Sequence, residues 1–292
     1  MNGGSEAGQA LAIARDVAAL RRRVAGWRQA GESVGLVPTM GALHEGHLTL
    51  VREARRRCRR VVATIFVNPR QFDRKEDLEG YPRSEAEDVR LLEVAGCDLL
   101  FAPLDVTVMY PPGFLTRVAV ERLTACLDGL HRPGHFDGVT TIVSKLLLQA
   151  LPDVAFFGEK DYQQLTIVRR MAADLDIPVE IAPVPTVREA DGLAMASRNR
   201  LLKPGERVLA PLLARVLHET AEALAVDPTA EAAPFLAQAR LRLGRGGFGK
   251  IDYVELRAAD DLGELNSLER PARLFAAAWL GRTRLIDNVP VG

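Results

Sequence analysis

Two histidines, His44 and His47, stand three residues apart around Gly46 in the run Pro38-Thr39-Met40-Gly41-Ala42-Leu43-His44-Glu45-Gly46-His47. An apolar run, Val34 to Val37, leads in, and a helical pattern, Leu48 to Cys58, leads out. This reads as a strand, a tight loop and a helix start with two imidazoles at its mouth. Spacing of three puts both rings on one face only where the segment is already helical. The free amides and positive dipole end of a helix start suit an anion. Imidazole N–H groups there can donate to phosphate oxygens and stabilise charge that grows in a transition state. Gly46 permits close packing or a special backbone conformation. Two other readings stay open: a helix N-terminus with incidental histidines, and half of a zinc site. Zinc calls for a third ligand at organised spacing, and the nearest further pair, His131 and His135, belongs to a Gly/Pro loop.

Further polar clusters follow other apolar runs. Asn68-Pro69-Arg70-Gln71-Phe72 comes after Val61 to Val67. Two carboxamides at a strand end can bond a carboxylate and a hydroxyl without adding charge, although Asn-Pro alone marks only a turn. Gly158-Glu159-Lys160-Asp161-Tyr162-Gln163-Gln164 comes after Val154 to Phe157. Gly158 allows a sharp turn, Lys160 is a mobile cation suited to phosphate, and Asp161 lies where an N-cap would sit. Gln164 is one turn on from Lys160, on the same face. As a bland alternative, Lys160 is a solvated lysine. Met195-Ala196-Ser197-Arg198-Asn199 follows an expected short strand, Leu193 to Ala196. Ser197 can donate a hydrogen bond and Arg198 can clamp phosphate oxygens with two parallel bonds, or the segment is a polar interdomain loop. His131-Arg132-Pro133-Gly134-His135-Phe136-Asp137-Gly138 is rich in turn formers and precedes a helix. Asp88, on a predicted helix, is either a magnesium ligand or a surface carboxylate. No Cys/His or Ser/His/Asp arrangement suggests a covalent nucleophile. A phosphate-loop ATPase and a nicotinamide dehydrogenase are both disfavoured, because neither glycine-rich fingerprint occurs.

The elements that must position these residues alternate. Helices are expected over Leu11–Arg28, Leu48–Arg59, Ser84–Val94, Val139–Ala150 and Tyr162–Leu175, and strands over Val34–Val37, Val61–Val67, Asp98–Ala102, Val154–Phe157 and Val179–Pro183. Such alternation predicts an α/β fold, a Rossmann-like doubly wound parallel sheet. Ligands of such sheets bind at the carboxyl ends of the strands, where the polar clusters fall. From Lys203 the texture changes to two Ala/Leu/Arg-rich helices, Pro204–Ala225 and Ala230–Leu243, a glycine-rich turn and strands at Ile251–Leu256, Leu274–Leu280 and Thr283–Asp287. The expected division is therefore residues 1–186 as the nucleotide-binding domain and 187–292 as a smaller C-terminal α+β lid domain.

Composition is that of a globular protein, with 48% hydrophobic and 26% charged residues. Lys plus Arg and Asp plus Glu are each 38, so no global field favours nucleic acid or an anionic membrane. The basic run Arg52, Arg55, Arg56, Arg57, Arg59, Arg60 reads as a solvated helix face. Three cysteines without metal-ligand spacing read as reduced thiols of a cytosolic protein. No apolar run reaches the roughly 20 residues of a membrane span, and the polar, Gly-rich segment Met1 to Gln9 reads as a frayed tail.

Taken together, PTMGALHEGH (Pro38 to His47), FVNPRQF (Phe66 to Phe72), RPGHFDGV (Arg132 to Val139), FFGEKDYQQL (Phe156 to Leu165), MASRN (Met195 to Asn199) and RLIDN (Arg284 to Asn288) resemble the pantothenate synthetase (pantoate-β-alanine ligase) family. The histidine motif is shared with a wider nucleotidyltransferase superfamily that includes class I aminoacyl-tRNA synthetases; the combination is far more specific. The resemblance implies an ATP-dependent ligase. Pantoate's carboxylate attacks the α-phosphorus of ATP, pyrophosphate leaves, and β-alanine's amine attacks the pantoyl adenylate to give pantothenate and AMP. It also implies magnesium with the ATP, a cytoplasmic homodimer, and (R)-pantoate and β-alanine as the other substrates. By the same resemblance, Met40, Gly41, Ala42, Leu43, His44, Glu45, Gly46 and His47 would line the ATP site, with His47 as proton donor. Gly158, Glu159, Lys160 and Asp161 would wrap the nucleotide, and Val187, Met195, Ala196, Ser197 and Arg198 would complete the pocket. Gln71 and Gln164 would hold pantoate, Gln71 would also serve β-alanine, and Asn68 would stand beside it in the catalytic set with His44, His47 and Lys160. Two positions depart from the family pattern: Arg70 where methionine is expected, and Ala196 where serine is expected. A released nucleotidylated product or a catalytically dead nucleotide-binding module are the competing functions; the paired carboxamides disfavour the first, the intact His44, His47, Lys160 and Arg198 the second.

Overall fold

The structure, a computed structural model, describes residues 10–292. The expected frayed tail, 1–9, lies outside the described residues. In chain order the first part comprises β1 (Ala12–Ala14), α1 (Val17–Gln29), β2 (Val34–Thr39), α2 (Glu45–Arg57), β3 (Arg60–Ile65), α3 (Lys75–Glu79), α4 (Glu85–Ala95) and β4 (Leu99–Phe101). There follow α5 (Val106–Met109), α6 (Leu127–His131), α7 (His135–Ala150), β5 (Val154–Gly158), α8 (Tyr162–Asp174) and β6 (Glu180–Val184). The second part holds α9 (Pro204–Leu209), α10 (Leu212–Val226), α11 (Ala232–Arg245), β7 (Ile251–Ala258), β8 (Ala272–Leu280) and β9 (Thr283–Val291). Single 3-10 turns at Pro69–Gln71, Glu159–Asp161 and Ser197–Leu201 carry three of the polar clusters.

The first six strands form one parallel sheet in the order β1-β4-β3-β2-β5-β6. Strands β2, β3 and β5 are apolar runs because helices cover both of their faces. Leu36 and Val62 point to α1, α7 and α8, while Val37, Val61 and Ala63 point to α2 and α4. The winding reverses between β2 and β5, which is where open α/β sheets bind ligands. There β2 and β5 pair only through Gly35 and Leu36. Pro38, which has no N–H to offer a neighbour, lies beyond that pairing, so the two strands part at their carboxyl ends and a crevice opens. Pro183, by contrast, sits in the edge strand β6, where a proline is tolerated.

The second sheet is antiparallel, β7-β8-β9. Alternation sends Val254, Leu256, Leu274, Ala276, Leu285 and Val289 into a core with α10 and α11. The opposite face carries Tyr253, Phe275 and Ala277, which pack with Leu127 of the first part. That face turns toward the crevice.

Several expected boundaries differ. The first expected helix begins with a strand: Ala12–Ala14 pairs with β4, and Asp16 starts α1 by accepting from the Ala19 amide at 2.7 Å. The expected helix Pro204–Ala225 is two, because Pro211 interrupts the backbone donors between α9 and α10. The expected strand Leu193–Ala196 is a hairpin held by one bridge, Arg188 to Ala194. The basic run that begins in α2 is matched by carboxylates, Arg55 with Asp98 at 3.1 Å, Arg57 with Glu180 at 2.7 Å and Arg60 with Glu32 at 2.7 Å. Cys58, Cys97 and Cys126 are free. Among the described residues no helix is long and apolar enough to cross a membrane.

Candidate active site

The loop between β2 and α2 is built on strained backbone. Gly41 has φ +80° and Ala42 has φ +51°, a left-handed pair that costs an alanine energy. Asp88 of α4 holds it. Its buried carboxylate accepts from the Ala42 amide at 2.9 Å and the Leu43 amide at 2.8 Å. The surface reading of Asp88 is therefore corrected: it is buried, and both oxygens accept from the loop. No cluster of three metal-binding side chains exists among the described residues.

His44 caps α2 and His47 lies in its first turn. Their ring centroids are 4.0 Å apart. The His44 amide donates to His47 Nδ1 at 3.4 Å, which leaves the hydrogen of the neutral ring on Nε2. Burial is the main force pushing both imidazoles down, His44 to about 4 and His47 to about 3, with Lys160 adding to each. Both are thus neutral at physiological pH. Gly46 is required by packing: a Cβ there would meet His44 Cε1 at 2.9 Å and Nδ1 at 3.0 Å.

These rings open onto a cleft of about 440 Å³ at the carboxyl ends of β2, β3, β5 and β6, roofed by the second sheet. Of the first motif, Met40, His44, Gly46 and His47 line it. Gly41, Ala42 and Leu43 instead form the turn behind the wall: the Gly41 amide donates to Thr39 Oγ1, the Ala42 and Leu43 amides donate to Asp88, and the Ala42 and Leu43 carbonyls accept from Ser197 and Arg200. The Glu45 side chain faces solvent and pairs with Arg52. Gly158, Lys160 and Asp161 line the cleft, with Lys160 Nζ 3.5 Å from Asp161. Glu159 turns away toward Arg273 at 3.5 Å. Val187, Met195, Ala196, Ser197 and Arg198 all line it. The Ser197 hydroxyl donates to the Ala42 carbonyl at 3.1 Å, so it straps this segment to the loop.

Gln71 and Gln164 also reach the cleft. Asn68, expected in the catalytic set, lies behind the cleft wall instead. It is 1% exposed, and its Nδ2 donates to Gln71 Oε1 at 2.9 Å and to the Gly138 carbonyl at 3.0 Å. Its Oδ1 accepts from Tyr110 Oη at 2.8 Å. With its amide occupied by protein, Asn68 orients Gln71. The Gln71 carbonyl is fixed from below by His135 Nδ1 at 2.7 Å and by Arg132 at 3.3 Å. That is what the RPGHFDGV segment does, a role the loop signal alone did not reveal.

Arg70 points out of the cleft and lies 4.8 Å over the rings of both Tyr110 and Phe114. At Ala196 the missing hydroxyl leaves a cleft-lining methyl. Sequence reasoning also passed over Tyr81 and Thr186, both in the cleft wall. The Thr186 hydroxyl and His44 Nδ1 are buried without a hydrogen-bond partner among the described residues. An isolated threonine before Val187 carries no sequence signal of that kind. Asp73, Arg74, Asp77 and Tyr81 give the segment around α3 a share in the cleft rim.

A sequence profile for the family described as Pantoate-beta-alanine ligase matches residues 12–290. The chain is 55% identical over 282 residues to a pantothenate synthetase of Paramagnetospirillum magneticum, covering 97% of this chain and 98% of that protein. It is 53% identical over 283 residues to a pantothenate synthetase of Caulobacter vibrioides, covering 96% and 98%. The crystal structure of pantothenate synthetase from Thermus thermophilus superposes with a TM-score of 0.89 at 46% identity, covering 96% of this chain and 99% of that one. That of pantoate-beta-alanine ligase from Francisella tularensis, complexed with beta-gamma ATP and beta-alanine, gives 0.80 at 31% identity, covering 96% and 98%.

Proposed function

The chain belongs to the pantoate-β-alanine ligase family, and we propose that the cleft at the β2/β5 crevice is where it carries out that family's reaction. The reaction is an ATP-dependent condensation of (R)-pantoate with β-alanine through a pantoyl adenylate. A pantoate carboxylate oxygen bonds to the α-phosphorus while the bond to the β-phosphate oxygen breaks and pyrophosphate leaves. The β-alanine amine then bonds to the acyl carbon, AMP departs, and the amine loses a proton as the amide forms.

The observation that carries this assignment is a juxtaposition. His44, His47, Lys160 and Arg198, a set of phosphate donors, share one cleft with the uncharged carboxamides of Gln71 and Gln164. The carboxamides suit a small hydroxy-acid and the donors a triphosphate. Pantoate is assigned to Gln71 and Gln164 on the β3 side, with β-alanine entering beside Gln71. The α-phosphate then lies at the α2 start, and the rest of the nucleotide extends toward β6. There Val187, Leu193 and Met195 offer an apolar slot for the base, and the Thr186 hydroxyl offers it a partner. The neutral rings of His44 and His47 donate N–H groups to phosphate oxygens, and Lys160 and Arg198 offset the charge of the departing pyrophosphate. Holding carboxylate and phosphorus in line supplies much of the acceleration.

Magnesium fits as a companion of the triphosphate rather than as a resident ion. Asp88 is spent on the loop, and Asp161 is the cleft carboxylate beside Lys160, as expected for an ion that keeps most ligands from phosphate and water. When bound it would neutralise phosphate charge. We assign the domain boundary to Thr186/Val187: Leu193 already belongs to the second core, while Val184 belongs to the first. A homodimer in the cytoplasm completes the proposal. The test supplies ATP, magnesium, pantoate and β-alanine and follows AMP. Formation that requires both organic substrates is expected; AMP release independent of either one overturns the assignment.

A further inference from the structure

The polar residues of the RLIDN segment take no part in the chemistry above, yet each reaches out of its own sheet. Arg284 bonds Asp128 at 2.8 Å and Asp252 at 2.7 Å. Asp287 takes two bonds from Arg188, at 2.7 and 3.0 Å. Asn288 goes further, to the turn that carries Lys160. Its Nδ2 donates to the carbonyls of Glu159 and Lys160, each at 2.9 Å. Its Oδ1 accepts from Arg273 Nε at 2.7 Å.

We propose that Asn288, backed by Arg273, is a positioning residue that sets where the Lys160 ammonium stands. This role rests on the assignment of Lys160 to phosphate. Asn288 is 2% exposed, so its carboxamide meets protein and not bulk water. Both Nδ2 hydrogens and one lone pair of Oδ1 are used, and the guanidinium partner fixes which way the amide faces. Arg273 is held in turn, stacked 4.1 Å over the Tyr162 ring and 3.5 Å from Glu159. Asn288 faces Phe275 across the β8/β9 ladder, with Arg273 on its diagonal. The two side chains therefore emerge from the cleft face of a rigid sheet. Lysine is a point charge on a flexible four-carbon stem. Its reach is definite only if its backbone is, and a short 3-10 turn has few bonds of its own to fix it. Only a group with two donors and no charge can tie two adjacent carbonyls while leaving the phosphate field unaltered. Asparagine meets that need.

The test is pyrophosphate exchange into ATP in the presence of pantoate, which reads adenylation alone, on the full chain. Asn288→Ala is expected to lower kcat about ten- to a hundredfold, the scale of a roughly 1 Å misplacement, with the KM for pantoate nearly unchanged. Asn288→Asp keeps the volume and the Arg273 contact but faces the two carbonyls with an acceptor, and is expected to be as slow. In a Lys160→Ala background, Asn288→Ala is expected to cost little more, because the group it positions is gone. Exchange that is unimpaired in the alanine variant, a near-wild-type rate for Asn288→Asp, or a full additional loss on top of Lys160→Ala overturns the proposal. If the alanine variant does not fold, the isosteric aspartate, checked by its melting curve, decides the question. Lys160→Ala alone tests the prior assignment: unchanged exchange there removes Lys160 from phosphate and takes the proposal with it, whereas a slow Lys160→Ala with additive Asn288→Ala removes only the proposal.

Discussion

His47 illustrates how much of the site depends on single ring nitrogens. Its Nδ1 accepts the His44 amide, so the ring hydrogen sits on Nε2. His47→Ala should slow adenylate formation by about a hundredfold, the usual cost of a transition-state donor; exchange at the wild-type rate would remove the ring from the chemistry. Arg70 makes the opposite case. Its charge lies over Tyr110 and Phe114, outside the cleft. Arg70→Met should cost about 1 kcal/mol of stability from the lost ring contacts. The KM for pantoate should stay within about threefold, as for substitutions away from a site. A larger rise in KM would show that its field reaches the pantoate pocket. Residue types alone could not separate these fates. The cleft position of the paired histidines, Lys160 and the glutamines was legible because polar residues that follow apolar strands gather at the carboxyl ends of a parallel sheet. The tasks of Asn68 and Asp88 were not, because an amide or carboxylate declares its partners only when remote segments arrive: Gly138 for one, the β2-α2 loop for the other.

Among elements, the β2-α2 loop and α4 form one unit. Among the described residues, Asp88 is the α4 side chain that bonds the Ala42 and Leu43 amides. Asp88→Asn keeps the shape but turns a donor toward one of those N–H groups. It should lose about 1 to 3 kcal/mol, the cost of a buried unmet group, and weaken ATP binding as the loop relaxes. A denaturant midpoint equal to wild type would contradict that coupling. The long apolar runs β2, β3 and β5 were plain in the sequence because burial on both faces leaves no ambiguity. The strand β1 was not: Ala-Ile-Ala carries no period, and only β4 beside it makes it a strand. The division at Pro211 was hidden by helix formers on both sides of it.

For the whole molecule, acid sensitivity follows from three buried rings. His44 is held down to about 4, His47 to about 3 and His135 to about 4, each chiefly by burial. Below the unfolded value of about 6.5 the unfolded chain binds protons that the fold refuses. Stability is therefore full above that pH and is lost progressively as pH falls toward 4. The melting temperature should drop between about pH 7 and pH 5, and His135→Asn should flatten the slope if it folds; a level profile over that window would contradict neutral burial. One further consequence belongs to synthesis. The turn that bears Lys160 is tied to a residue 128 positions later, and Asp128 to one 156 positions later. Such distant pairings close late, after the segments between them exist. A nascent chain with its parallel sheet already folded would still lack the partners of the Lys160 turn and of Asp128 until β9 pairs with β8.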